Sequence, residues 1–413
     1  MNRPISTLLG LWAICPLLLQ AAPTDTISAP SIIDFTVYSE QQWASTAANK
    51  FILAGLAFGG DISGPVNQMT LLTSKQRIAM GGGSSRMGIA LTLPSPDILP
   101  LPERGRWHTT VALEQQQMAN AEWSFGAARL MFGPHGSAEQ ESGGFLGGTQ
   151  FSGVSATSLK VGGVRTHRSA VGNLPVDVTM QWSVNVGEMH QYRSFYVRAR
   201  SEYTWDDEAL AMDLDAQQIK PIGVGTLLGL DLGLSIEEAD GGAGRKDRWS
   251  VAIRDWGSAK FREGVYQRVD TAFFTQGWPL ITEGTPDFSD VMQSDTLMGS
   301  FKRRMPSTLC FSWEREALRN PGVTWALNAQ SVAWAPRGQV EVVRRSGRGA
   351  VQTAVGLGYG GWGGTFIPLN FTLPSVAVRQ GQPGGALVVS THWLAVPRQG
   401  GRMALGLRWH QSF

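Results

Sequence analysis

Apolar and polar residues alternate along several stretches of the chain. Between Val176 and Val186 every even-numbered position is apolar and every odd-numbered position is polar. The run from Phe195 to Trp205 repeats this pattern and places Val197 on its apolar face, and Leu228 to Ile236 also has an apolar residue at every second position. A period of two indicates β-strands whose two faces meet different surroundings. The pattern therefore predicts an all-β chain.

Glycine- and proline-rich segments separate these runs. From Arg319 to the C-terminus they recur at intervals of roughly ten to twenty residues, which is typical of antiparallel hairpins. The segment Gly358–Gly364 is predicted to be a tight glycine-rich turn. The longer polar connection 237–248 is predicted to lie at the opposite rim from the short turns.

Two stretches lack the alternation. Residues 206–219 have a helix-like pattern, and residues 284–306 are irregular and polar. We expect each of them to form a long loop or a plug element.

The composition favours a barrel over a soluble sandwich. Charged residues make up 16% of the 413 residues, and the chain holds only seven lysines. The polar faces of the predicted strands carry mainly Thr, Ser, Gln, Asn, Gly and Arg, as expected of a wet lumen. We therefore predict a transmembrane antiparallel β-barrel, and a soluble secreted β-protein is the remaining alternative. The net charge of +2 argues against a nucleic-acid partner.

The N-terminus has the features of an export signal. Arg3 precedes an apolar run over 7–19, and small residues follow as far as Ala22. Such a segment is a secretory signal peptide and is too short to span a bilayer. We predict a signal peptide over 1–21 and a barrel domain over 22–413, in which 22–50 is an N-terminal segment and a candidate plug. At about 28 residues per strand, the barrel would have about 14 strands, in a range of roughly 12 to 16.

The last residues alternate and end in an aromatic side chain. Leu405, Leu407, Trp409 and Phe413 share one parity. This resembles the C-terminal signal of outer-membrane barrel proteins, which the barrel-assembly machinery recognises. The resemblance implies a C-terminus on the periplasmic side, with short periplasmic turns and longer extracellular loops. It also implies that the protein is an exported, multi-pass barrel of the cell outer membrane.

Fifteen tryptophans beside six tyrosines form an unusual balance. Trp prefers places where one edge is apolar and the other is wet, such as a membrane interface. Several tryptophans lie near predicted strand ends, where they would contact outer-membrane lipid as interfacial girdles. They are Trp107, Trp205, Trp249, Trp325, Trp393 and Trp409.

Arginines on predicted strands are the best candidates for a functional role in the lumen. Arg198, Arg200 and Arg254 have the required parity or lie in the polar half of a strand. Arginines that line a pore favour anions. The alternative is that they pair with Glu202, Asp231 or Asp255 and brace a packed interior.

Motifs for catalysis, metal binding or cofactor binding do not emerge from the sequence. The six histidines are scattered, and Cys310 is the one cysteine beyond the predicted signal peptide. A single thiol offers neither a disulfide nor a cysteine pair for zinc. We therefore expect a protein that is not an enzyme and that needs neither metal nor cofactor.

Two neighbouring segments carry a family resemblance. Residues 225–238 (GTLLGLDLGLSIEE) and 247–261 (DRWSVAIRDWGSAKF) resemble a recurrent pattern in uncharacterised Bacteroidota outer-membrane barrels. These are similar in style to the PorV/PorP-like proteins of type IX secretion and to the FadL-like fatty-acid transporters. The resemblance implies a barrel that passes or binds small molecules, including hydrophobic ligands. The alternative is an envelope interaction protein, such as a type IX secretion accessory or a surface-anchoring barrel that contacts secretion-system proteins.

Overall fold

The computed structural model describes most of the chain beyond its N-terminal segment. The described residues are 33–45, 78–94, 105–124, 127, 144–171, 174–198, 200–206, 209–239, 246–274, 294–316, 323–333, 335, 338–347, 351–362, 364–374, 384–394 and 401–412. The predicted signal peptide and Phe413 lie outside them. Within these ranges, no helix is long and apolar enough to cross a membrane.

Fourteen of the described strands form the wall of a closed antiparallel barrel, with all strands numbered in chain order. They are β1 (Asp34–Ser45), β2 (Ile78–Pro94), β3 (Gly105–Ser124), β5 (Gln150–Val171), β6 (Leu174–Val197), β9 (Gly225–Ala239), β10 (Lys246–Phe261), β14 (Thr308–Glu316), β15 (Val323–Val332), β16 (Gln339–Gly347), β17 (Gln352–Gly360), β18 (Thr365–Pro374), β19 (Gly385–Leu394) and β20 (Gly401–Ser412). Each strand pairs with the next in this order, and β20 pairs with β1. The predicted barrel and its strand number are confirmed.

The two ends of the barrel differ in their connections. We name the end at which β20 finishes the lower end and the opposite end the upper end. Lower connections include 172–173 and 348–351, whereas the upper connections include 46–77 and 125–149. The predicted separation of short turns from long loops is therefore confirmed. The placement of 237–248 is wrong, because the β9–β10 connection lies at the lower end with the short turns.

The wall is apolar outside and polar inside. On β6, Met180 and Trp182 point outward and are 59% and 43% exposed, whereas Ser183 and Asn185 point inward and are buried. Leu228 and Leu232 on β9 are likewise exposed. A belt of exposed aliphatic and aromatic side chains is stable only against hydrocarbon. The chain is therefore a transmembrane barrel.

Six short or displaced strands extend the wall beyond the upper end. They are β4 (Gly144–Phe145), β7 (Glu202–Asp206), β8 (Ala209–Ile222), β11 (Glu263–Phe274), β12 (Ser294–Met298) and β13 (Phe301–Arg304). β8 pairs with the upper end of β6, with β7 and with β11, and β13 pairs with the upper end of β10. These contacts hold a small sheet above the barrel.

This extension corrects two predictions. The continuous strand over Phe195–Trp205 is wrong, because β6 ends at Val197 and the chain turns before β7. The Ser201 N–H donates to the Arg198 carbonyl at 3.1 Å and closes that turn. Val197, expected on the lipid face, is 2% exposed. The helix-like segment 206–219 is mostly β8, because pairing on both edges outweighs its local helical pattern.

The prediction that residues 22–50 form a plug is also wrong in part. Residues 34–45 are β1, which joins β2 to β20 and closes the wall. Ser39 and Gln41 occupy two of its outward positions, so the alternation between apolar and polar residues is weak there. Pairing with two neighbouring strands makes this segment a strand despite that pattern.

Two inward-facing glycines, Gly162 on β5 and Gly233 on β9, differ in the space around them. A Cβ on Gly162 would collide with the backbone carbonyl of Trp182, whereas a Cβ on Gly233 would lie 3.6 Å from the Gln181 Cβ. Gly162→Ala is therefore expected to lower the free energy of unfolding by about 1–3 kcal/mol. Gly233→Ala is the matched control and should leave it nearly unchanged. Urea unfolding in detergent micelles measures both, and equal effects would contradict the register of β5 and β6.

Candidate functional site

A network of ionised side chains crosses the middle of the lumen. The network consists of Arg86, Glu114, Lys160, Asp231 and Asp255. They come from β2, β3, β5, β9 and β10, so five of the fourteen wall strands contribute to it. We name this set the charge network.

Lys160 is the centre of the charge network. Its Nζ lies 2.9 Å from Glu114 Oε1, 2.9 Å from Asp255 Oδ1 and 3.0 Å from Asp231 Oδ2. Its side chain is 9% exposed. The ammonium group donates hydrogen bonds to Asp231 Oδ2 and Asp255 Oδ1 and forms an ion pair with Glu114. The geometry therefore fixes three strands relative to β5.

Arg86 is the second cation of the charge network. Its Nε lies 3.4 Å from Glu114 Oε1, and its Nη2 forms an ion pair with Asp255 Oδ2. The Arg86–Asp255 pair joins β2 to β10, which are separated by four strands in the wall. The bond therefore braces the barrel across its lumen.

A β-bulge places Asp255 in this network. The register of β10 against β9 shifts between Ile253 and Trp256, and Asp255 has a φ of 57°. The left-handed conformation is tolerated by Asp better than by most residues with a side chain. The Asp255 N–H donates to Asp231 Oδ1 at 2.6 Å, which stabilises the bulge. The extra residue lets Arg254 and Asp255 both face inward.

Neutral donors complete the shell around the carboxylates. Tyr38 donates its hydroxyl hydrogen to Glu114 Oε2 at 2.5 Å, and Asn185 Nδ2 donates to Asp231 Oδ1 at 2.7 Å. Ser183 Oγ donates to Asp231 Oδ2 at 3.3 Å. Charged groups buried in a protein are stable when their remaining hydrogen-bonding sites are satisfied. The charge network is therefore a rigid part of the interior.

An apolar cluster occupies the lumen above the charge network. It joins side chains from many wall strands near their upper ends. Its buried members are Ala44, Met118, Val154, Ala156, Met189, Leu227, Ala259, Phe261, Met305, Val332 and Trp362. We name this cluster the roof.

Trp362 reaches the roof from the β17–β18 turn. Gly360 and Gly361 have φ values of 112° and 68°, and these left-handed residues direct the turn inward. The Trp362 indole is 2% exposed, and its Nε1 donates to Asn120 Oδ1 at 2.7 Å. β3 and β17 lie on nearly opposite sides of the barrel, so this bond crosses the lumen. A second crossing bond joins Gln42 Nε2 to Gln339 Oε1 at 2.9 Å.

A cavity of about 160 Å³, lined by both polar and apolar side chains, lies below the roof. It separates the charge network from the shorter strands β14 to β19. Its lining combines charged side chains, amides and hydroxyls, including Glu40, Arg254, Arg345, Asn328, Gln330 and Ser312. Gln352 and Thr353, which are exposed at the start of β17, also line it, so the cavity extends towards the lower end. The arrangement can hold a small molecule rich in hydrogen-bonding groups.

The three predicted lumen arginines separate in the structure. Arg254 lines the cavity beside the bulge of β10. Arg198 and Arg200 lie in the turn after β6 and are exposed. The parity that assigned them to the lumen required a continuous strand, and that strand ends at Val197.

The tryptophans predicted for the girdles fall into two groups. Trp249, Trp325 and Trp409 are exposed on the outer face near the lower ends of their strands. Trp313, which the sequence analysis did not select, lies beside Trp249 with ring centroids 5.6 Å apart. Trp205 belongs to β7, outside the wall. The structure does not describe the side chains of Trp107, Trp205 and Trp393.

The predicted assembly signal occupies the last wall strand. Leu405, Leu407 and Trp409 point outward on β20, and Trp409 contacts Phe35 of β1 with ring centroids 5.8 Å apart. This contact lies at the seam where the barrel closes. Recognition by the assembly machinery stays a prediction.

Three members of the charge network, Arg86, Glu114 and Lys160, were not predicted from the sequence. The alternative that Asp231 and Asp255 brace the interior agrees with the structure, but their partners are Lys160 and Arg86. A signal was present: Lys160 and Asp231 are single charges flanked on both sides by outward apolar residues. An isolated charge in such a strand points into the lumen, where it needs an opposite charge.

Comparison with solved structures finds outer-membrane channels. A mutant of TodX, a monoaromatic hydrocarbon channel, is 7% identical, with 93% of this chain and 91% of that chain covered at a TM-score of 0.49. The toluene transporter TbuX of Ralstonia pickettii is 8% identical, with 93% and 90% covered at a TM-score of 0.45. A FadL homologue of Pseudomonas aeruginosa is 11% identical, with 92% and 90% covered at a TM-score of 0.40. No family model and no curated protein sequence matches the chain.

The strands and side chains of this chain identify its fold independently of these similarities. The resemblance to Bacteroidota barrels and to PorV/PorP-like proteins stays a prediction. A closed wall of fourteen antiparallel strands, an apolar exterior and a polar lumen are the features of an outer-membrane β-barrel.

Proposed function

We propose that the protein is a gated outer-membrane channel that admits small water-soluble molecules to its lumen. The observation that carries the proposal is the cavity of about 160 Å³ between the charge network and β14 to β19, whose lining includes charged side chains, amides and hydroxyls. Hydrogen-bonding groups line it and it extends to the lower end, which supports entry by solutes from that side. The roof separates the cavity from the upper end, so passage requires the roof to open.

Cys310 provides a direct test, because it is inward-facing on β14 and lines the cavity. A charged, membrane-impermeant methanethiosulfonate reagent is expected to modify Cys310 in the folded barrel reconstituted in liposomes. Cys310→Ser is the control and should remain unmodified. Modification by a lipid-soluble maleimide alone would contradict an aqueous cavity, since it would place the thiol in contact with hydrocarbon.

A hydrophobic ligand is the second candidate, and a groove on the exterior favours it. The groove has a volume of about 540 Å³ and lies between β6, β9, β10 and β14. Met180, Trp182, Leu232 and Leu309 are among its apolar lining residues. Under the second candidate, an apolar diazirine should label these residues more strongly than other lipid-facing residues, such as Val355 and Leu357. An excess of a competing apolar solute should remove that difference.

The alternative of an envelope interaction protein stays a prediction. The sheet of β7, β8, β11 and β12 above the upper end is the surface on which such a partner would act. The signal peptide and the absence of enzymatic, metal and cofactor sites also stay predictions.

A further inference from the structure

An acidic and a basic side chain line the cavity without a salt bridge to another described residue. They are Arg254 on β10 and Glu40 on β1. No side-chain hydrogen bond or ion pair joins either to another described residue. Arg254 is one of three arginines, with Arg86 and Arg408, whose charges attract Glu40. A basic and an acidic group therefore face the same space.

Other cations of the lining are already paired. Arg86 pairs with Glu114 and Asp255, and Arg345 Nη1 lies 2.7 Å from Glu314 Oε1. An isolated charge in a barrel interior is unfavourable unless water or a ligand compensates it. Arg254 is therefore the cation of the lining that has no salt bridge within the described part of the chain, and Glu40 is the acidic group that faces it.

Two neutral acceptors in the lining of the cavity are also unsatisfied. Asn328 Oδ1 and Asn370 Oδ1 are buried and have no hydrogen-bond partner within the described part of the chain. Both residues line the cavity. Buried polar atoms are nearly always hydrogen-bonded, so these two indicate a missing donor. A solute with N–H groups supplies one.

We propose that the cavity binds a small zwitterion of the α-amino acid class, with its carboxylate on Arg254 and its ammonium group on Glu40. The inference rests on the proposed channel function and names its solute. Guanidinium and carboxylate groups form the strongest charge-assisted hydrogen bonds available to such a molecule. A solute that carries one charge satisfies one of the two groups and is repelled by the other.

Three matched probes test the proposal: L-alanine, propionate, which lacks the amino group, and ethylamine, which lacks the carboxylate. Each is titrated calorimetrically into the folded full-length barrel in detergent micelles. L-Alanine is expected to bind about tenfold or more tightly than either of the others, because it makes charge-assisted hydrogen bonds through both of its charged groups. Equal affinity for the three probes, or no binding of L-alanine, would overturn the proposal.

Substitutions assign the two ends of the zwitterion. Arg254→Gln should remove the preference for L-alanine over ethylamine, and Glu40→Gln should remove its preference over propionate. Arg254→Lys should restore part of the first preference. Arg344→Gln is the matched control, because Arg344 is exposed on the outer face of β16. The heat-dependent gel shift of each variant verifies that the barrel has folded.

Different results would contradict the proposed channel and the proposed solute. Modification of Cys310 by the charged reagent without a preference for L-alanine would contradict the zwitterion and leave the aqueous channel intact. Inaccessibility of Cys310 to that reagent would contradict the channel itself.

Discussion

Lys160→Met is expected to lower the free energy of unfolding of the barrel by about 3–5 kcal/mol, because it removes one partner from a set of buried ion pairs. The Nζ of Lys160 is within 3.0 Å of three carboxylates. Without it, Glu114, Asp231 and Asp255 would repel one another, and Arg86 alone would compensate them. Urea unfolding followed by the heat-dependent gel shift measures the loss.

Two further variants make this expectation specific. Lys260→Met replaces an exposed lysine of β10 and should have little effect on stability. Adding Asp231→Asn to Lys160→Met should recover part of the loss, because it removes one uncompensated charge and leaves an amide of similar shape. A Lys160→Met barrel as stable as the original protein would show that the network contributes nothing to the interior.

Trp362→Ala is expected to turn a closed barrel into a conducting one. The indole is buried in the roof, and its bond to Asn120 crosses the lumen. Because apolar constrictions close channels by excluding water, opening this one should raise single-channel conductance in planar bilayers by at least about tenfold. The same change should cost about 3–5 kcal/mol of stability, as is usual for a buried tryptophan.

Trp362→Phe is the matched control. It keeps an aromatic ring in the roof and removes only the Nε1 donor to Asn120. This variant should therefore remain mostly closed. A folded Trp362→Ala barrel with unchanged conductance would contradict the assignment of the roof as the gate.

The wall could be predicted from the sequence because lipid imposes a simple rule on it. Each strand needs apolar residues at alternate positions, so β6 and β9 can be recognised from the sequence. The rule fails where another constraint acts. β1 carries Ser39 and Gln41 on its outer face, and pairing with two neighbours maintains it as a strand. Arg198 follows the alternation in sequence but lies in a turn.

The lumen was harder to predict for two physical reasons. The bulge in β10 adds one residue, so that Arg254 and Asp255 both face inward and the count of alternate positions is shifted. Contacts across the lumen join strands that are distant in sequence, as between Trp362 and Asn120. The turn that carries Trp362 was predicted, but its inward direction depends on the opposite wall.

The alternation of β6 between lipid and lumen tests the central claim most directly. Nitroxide labels at each position from 180 to 186 in the reconstituted barrel report collisions with oxygen, which dissolves in lipid, and with a water-soluble nickel chelate. Labels at Trp182 and Val184 should collide mainly with oxygen, whereas labels at Ser183 and Asn185 should be shielded from lipid. Nickel collisions at Trp182 and Val184 as frequent as on a soluble protein would contradict the transmembrane barrel.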